Sequence, residues 1–348
     1  MHSKILPMNY PPITSWTWHA NLLSVITNYK ETNNWLYSNY IQLVCEAGYV
    51  IDFFPRSSAK QDCPWTYNQI IRRETIAMLT KDICQFFISC INENNYIFGV
   101  FEQSYFFKNC EEPLIHELFI YGYDLEERLF YVADFTFKDT YSYETVSFEQ
   151  LEAAYRGIGE DQDYNFDGRG GIELLSFYSK THYEFDVYFV AESIKEYLNG
   201  TNTSDRYRMY KNSTAGEYGI NVYKAFAAFL KENPDFTDYK PLHLIYDHKV
   251  LMLERIKFMG LHGFLRNWEE IHKQYTTIYE NIRNARNLFL KKLFRKSAAI
   301  DERIIEILHD AHNKEQEVLQ LLLDHLIYKD APSDKYWKDV TGTKLGKE

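Results

Sequence analysis

The run Pro113 to Asp134, PLIHELFIYGYDLEERLFYVAD, limits the fold of this chain more than any other stretch. Leu118 and Ile120, then Leu129, Tyr131 and Ala133, alternate with the period of two that a half-buried strand requires. Gly122-Tyr123-Asp124-Leu125-Glu126-Glu127-Arg128 supplies a polar reversal between them, so the run predicts two neighbouring antiparallel strands. Such a hairpin brings its polar ends side by side, with His116 opening the first strand and Asp134 closing the second. An imidazole beside a carboxylate is the orienting half of a nucleophilic triad, the acid fixing the tautomer and stabilising the imidazolium. The same pair also serves as a plain structural contact of a buried histidine, and both readings stand at this point.

With 348 residues the chain is long enough for two domains, or for one domain with a large appendage. A formal net charge of -11 argues against nucleic acid as the main partner. The 29 tyrosines and 24 phenylalanines call for a well-buried core with many hydroxyl handles. No run approaches 18 apolar residues, and Met1-His2-Ser3-Lys4 leads into no signal-like segment. The expectation is a soluble, cytoplasmic protein with no membrane partner. The five cysteines are odd in number and form no CxxC pair, which speaks against a disulfide framework or a structural zinc site. No metal and no cofactor are expected.

Taken in order, residues 1 to 13 read as an extended lead-in with three of the nine prolines. A helix is expected from about Trp16, then a short helix or extended stretch running into a strand over Trp35 to Phe54. Pro64 to Asn92 reads as helical, because Ile70, Ile71, Ile76, Leu79, Ile83, Phe86, Phe87 and Cys90 recur at spacings of three and four. A strand over Tyr96 to Phe107 precedes the hairpin, and Ser147 with Gln150 makes a capping box. Gly157 to Gly171 is a boundary loop whose Asp161, Asp163 and Asp167 lack the closing glutamate of a calcium loop. From Thr201 the spacing turns helical, and Ile300, Ile304, Leu308, Ala311, Glu315, Leu319, Leu322 and Leu326 trace one stripe with a single polar interruption. This divides the chain into an α+β domain over 1–200, a helical domain over 201–335 and a frayed tail over 336–348.

The order of helix, helix, strand and a histidine-started hairpin ending in an acid is similar to the papain-like, cysteine-protease-type fold. More narrowly, HELFIYGYDLEERLFYVADF followed by VSFEQLEAAY, with NYIQL at 39–43 and YDHKVLMLERIKF at 246–258, resembles the amino-terminal-domain family of butirosin-biosynthesis protein H. The resemblance implies an acyltransferase or amide-bond-forming enzyme of a peptide-synthetase pathway, with His116 as base and Asp134 as orienter. Its partner would be an acyl or peptidyl carrier protein presenting a phosphopantetheine-bound substrate. It also implies a nucleophilic cysteine at the amino end of the first helix, where the macrodipole lowers a thiol's pKa. That place reads Ser15-Trp16-Thr17-Trp18-His19, without cysteine, and the register puts Thr17 there.

Several roles follow as candidates, each with a structural alternative. Thr17 is a weak, β-branched nucleophile, and Thr17 and Ser15 are also ordinary helix caps. Trp16 and Trp18 could wall a substrate groove, or be core; His19 could lend a polar contact to the cleft. Cys45 or Cys63 could serve if the fold brings either near His116. His243, Asp247, His248 and Glu254 cannot close a metal site from one helix, so ion pairing is expected there. The basic run Arg283, Arg286, Lys291, Lys292, Arg295 and Lys296 is either a carrier-docking face or a solvated helix face. A catalytically silent scaffold that holds an intermediate or a synthetase is the alternative to the enzyme, and a homodimer is compatible with either.

Overall fold

A computed structural model describes residues 2–55, 62–108, 110, 112–163, 170–206, 215–294 and 298–328. In chain order its elements are β1 (Ser3–Ile5), α1 (Thr17–Ile26), α2 (Asn33–Ser38), β2 (Leu43–Glu46), β3 (Val50–Phe53) and β4 (Thr66–Ile71). There follow α3 (Arg73–Leu79), α4 (Ile83–Asn92), β5 (Tyr96–Glu102), β6 (Ile115–Asp124), β7 (Leu129–Asp134), β8 (Ser142–Ser147), α5 (Phe148–Arg156) and β9 (Ile172–Phe177). The remainder is helical apart from one short strand: α6 (Val187–Asn199), β10 (Glu217–Tyr218), α7 (Val222–Glu232), α8 (Lys240–Leu261), α9 (Trp268–Phe294) and α10 (Ala298–Asp324). The chain is therefore mixed α and β, with antiparallel sheets and a helical carboxy-terminal half.

Two compact units divide it, one of residues 1–33 and 55–183, the other of 34–54 and 184–348. These units differ from the expected 1–200 and 201–335, because α2, β2 and β3 are held by the later helices. The Arg255 guanidinium on α8 donates to the carbonyls of Tyr37 at 2.8 Å and Tyr40 at 3.2 Å, and also to that of Asn39. An early segment supplies the carbonyls that a buried arginine needs, so contiguity in sequence misplaces the boundary. The expected tail over 336–348 lies outside the described residues.

The first unit is a sheet of order β4-β9-β5-β6-β7-β8, with β1 added along β6. The hairpin pairs Phe119 with Ala133 and Ile120 with Val132, then shifts register at a bulge before Gly122 pairs with Tyr131. β1 crosses here so closely that a Cβ at Gly122 would sit 2.7 Å from the Lys4 carbonyl oxygen, which is why glycine occupies the position. The strand runs on through Asp124, further than the polar reversal suggested. Asp124 Oδ1 accepts from the N–H groups of Glu126 at 2.8 Å and Glu127 at 3.0 Å, and Arg128 turns at φ 53°. α4 and α5 cover the side of the sheet on which Phe87 meets Phe101 and Phe130. Ser147 caps α5 in the expected box with Gln150.

The expected helix over Pro64 to Asn92 is only partly formed, because its first third is strand β4. β4 is an edge strand paired to β9, with Tyr67 62% and Ile70 38% exposed. Of the two residues read as a helical face there, Ile70 is exposed and Ile71 packs against the core from a strand; pairing with β9 overrides local spacing.

The second unit packs its helices around one charged centre. Glu315, the polar interruption in the stripe on α10, is fully buried and accepts from Lys249 Nζ at 2.6 and 2.7 Å. Tyr223 at 2.7 Å and Tyr197 at 3.0 Å also donate to it, as does Tyr275. Burial pulls the Lys249 pKa down to about 8 against the opposing pull of Glu315. His248 beside it is neutral: burial pushes its pKa well below the ordinary value, Nδ1 accepts from Lys249 at 2.8 Å, and Nε2 donates to the Ile41 carbonyl at 2.9 Å. Removing one member strands the others in a dry interior. Glu315→Gln should lower stability by about 3–5 kcal/mol in urea denaturation, and adding Lys249→Met should restore more than half of that loss. A double variant no more stable than Glu315→Gln would show that the pair is not what the helices are packed around.

Candidate active site

Strand β6 positions the first expected pair. His116 lies opposite Phe101 on β5, and strand alternation puts its side chain on the same side as Leu118, with Asp134 next to it across β7. His116 Nδ1 is 3.1 Å from Asp134 Oδ1 and 3.3 Å from Oδ2, and 3.0 Å from the Glu117 carbonyl oxygen. Three acceptors around Nδ1 place the proton there and leave Nε2 to receive one. The Asp134 carboxylate is buried, and it is held from every side. Phe135 N–H donates to it at 2.6 Å, Gln103 Nε2 at 2.5 Å and Thr136 Oγ1 at 3.0 Å. Gln103 Nε2 also donates to the Glu117 carbonyl at 3.1 Å, and its Oε1 shares the single Thr136 hydroxyl proton with Asp134.

The imidazole side chain is 36% exposed, enough to meet a substrate. Burial disfavours its charged form, but the hydrogen bond and charge of Asp134, with Glu117 adding, outweigh this and raise its pKa above the ordinary value.

The helix tip takes a different partner from the one the sequence suggested. α1 begins at Thr17, with Trp16 as N-cap, and Trp16 offers no side-chain cap. Neither Thr17 nor Ser15 caps the helix. The Thr17 hydroxyl donates to the carboxylate of Glu117, and the buried Ser15 hydroxyl has no hydrogen-bond partner. Alternation along β6 explains the arrangement: His116 turns to one side toward Asp134, and Glu117 turns to the other toward Thr17. Trp16 and Trp18 stack on each other at 4.8 Å with an interplanar angle of 12°. Residues two apart do not face each other on a helix; here Trp16 is extended and folds back over Trp18. His19 is wholly buried, edge-on to Trp18 at 6.0 Å.

Glu117, Gln103 and Thr136 went unnoticed in the sequence. Two consecutive polar residues opening an otherwise apolar strand are a signal for Glu117, since alternation must send one to each side. Nothing comparable marks Gln103, which is brought in by the turn of 3-10 helix after β5.

The other candidates have other duties. Cys63 is buried and its thiol is pushed up to about 11 by burial, Cys84 likewise to about 12, and Cys45 sits in β2 of the second unit. Asp163 pairs with Arg73 at 2.7 Å, while Asp167 lies outside the described residues. Asp247 lies 3.9 Å from His243, and Arg286 donates to His243 at 2.8 Å. The basic run is not one surface: Lys292 is buried against Asp301 at 2.7 Å and Arg283 pairs with Glu280, while Arg295 and Lys296 lie outside the described residues. Among the described residues no group of three or more His, Cys, Asp or Glu is arranged to hold a metal ion, and no helix is long and apolar enough to cross a membrane. No family model and no curated protein matches the chain.

Because Asp134 raises the His116 pKa, its contribution through the imidazolium is fully present below the ordinary histidine range, about pH 6.5, and fades as pH rises through the raised value. Asp134→Asn should move the His116 midpoint to lower pH, read from the imidazole Cε1–H resonance. An unmoved midpoint would mean that the carboxylate does not act on the ring.

Proposed function

We propose that this chain is a papain-like acyltransferase or amide-bond-forming enzyme related to the butirosin-biosynthesis protein H family. It would act in a peptide-synthetase-type pathway with an acyl or peptidyl carrier protein as donor. His116 Nε2 takes the proton of the attacking amine as it adds to the carbon of a phosphopantetheine thioester, while Asp134 stabilises the imidazolium that results. The reaction asks for no thiolate, because a positioned amine attacks a thioester directly once a base removes its proton. The observation that carries the reading is the half-exposed imidazole whose Nδ1 is fixed by a buried, fully hydrogen-bonded Asp134.

A second reading, a catalytically silent scaffold that holds an intermediate or a synthetase partner, is favoured by the helix tip, which carries Thr17 and no cysteine.

Hydroxamate formation from S-acetyl-N-acetylcysteamine and hydroxylamine separates the two. His116→Ala should lower the rate by about 10²–10⁴-fold, the usual worth of a positioned base. In the wild type the rate should climb as pH rises through the raised His116 value, where the ring becomes neutral. Equal rates in the wild type and His116→Ala would leave only the scaffold.

A further inference from the structure

The geometry points to Glu117 as the proton acceptor for the Thr17 hydroxyl, and so to Thr17 as the atom that an acyl group esterifies. This deepens the acyl-transfer reading and rests on it. Three observations at the tip of α1 carry it.

Thr17 Oγ1 donates to Glu117 Oε2, so a hydroxyl and a carboxylate 100 residues apart are in the contact that a nucleophile and its base make. A threonine serving only the helix would turn its hydroxyl to nearby backbone instead, as caps do. The second observation is electrostatic. Thr17 is the first residue of a ten-residue helix whose N-cap offers no side-chain acceptor and whose first turn has no acid of its own. The positive end of α1 therefore faces Thr17 Oγ1 and favours negative charge growing there. The third is an unexplained group. Ser15, two residues ahead and 5% exposed, has a hydroxyl with no hydrogen-bond partner. Buried hydroxyls are nearly always paired, and the oxygen of an acyl group on Thr17 would be an acceptor for this one.

The chemistry balances without any outside reagent beyond donor and acceptor. The Thr17 proton passes to Glu117 Oε2, Oγ1 bonds to the acyl carbon, the carbon–sulfur bond breaks, and the departing thiolate takes the proton from Glu117. In the second half an amine adds to the ester carbon and gives its proton to Glu117, which is again a carboxylate once the thiol has left. The carbon–oxygen bond then breaks and Oγ1 regains that proton from Glu117, the group it already meets.

The test is rapid-quench peptide mass mapping of the full chain with S-acetyl-N-acetylcysteamine and no acceptor. One acetyl group should appear on Thr17 in the wild type, and Thr17→Ser should accept it at its own hydroxyl. Thr17→Val should lose it, and Glu117→Gln should slow it by at least about 100-fold. The inference is overturned if no acetyl-Thr17 forms in the wild type, or if Glu117→Gln is labelled at the wild-type rate. If Thr17→Val keeps His116-dependent hydroxamate turnover, the covalent stage is wrong and the acyl-transfer reading survives. If the wild type itself makes no hydroxamate, both fall.

Discussion

The mouth of the hairpin in the first unit depends on the buried carboxylate of Asp134. Asp134 leaves water entirely at the end of β7, and a carboxylate does so only where donors replace its hydration. Here those donors are the His116 ring, the Gln103 amide, the Thr136 hydroxyl and the Phe135 N–H. They come from three local structures: a strand start (His116), the 3-10 turn after β5 (Gln103), and the chain leaving β7 (Phe135 and Thr136). The carboxylate thus ties these three segments together through side chains, beside the sheet's own backbone pairing. It also orients the imidazole, so the stability of this corner and the tautomer of His116 have one cause.

The second unit solves a similar problem with a different cast. Glu315 sits at the centre of a helical stripe and is satisfied by Lys249 and three tyrosine hydroxyls from α6, α7 and α9. Its net charge with Lys249 is balanced and no ring of it is open, so it specifies packing. Asp134 differs in leaving one of its partners half-exposed with an unused ring nitrogen. That difference, more than burial or hydrogen bonding as such, separates a site from a strut.

Much of this was legible in the residues. Alternation over Leu118 to Ala133 gave the hairpin, its polar ends gave the histidine–aspartate pair, and Ser147 with Gln150 gave the start of α5. The stripe from Ile304 to Leu326 gave α10 and flagged Glu315. The failures have physical reasons. Thr66 to Ile71 joins β9 at a sheet edge, and the adjacent pair Ile70 and Ile71 there carries no alternation that would mark a strand. The assignment of 34–54 to the second unit depends on Arg255 seeking backbone carbonyls more than 200 residues away in sequence. Glu117 as the partner of Thr17 needed one more step along a strand already recognised: if His116 faces one side, its neighbour faces the other.

The tautomer of His116 is the most direct measure of whether Asp134 governs this corner. Long-range proton–nitrogen correlation spectra, recorded above the pH at which the ring loses its charge, distinguish the two nitrogens. The account predicts a proton fixed on Nδ1 and an Nε2 with the shift of a bare acceptor. A ring carrying its proton on Nε2, or exchanging between both forms as an unrestrained histidine does, would contradict it.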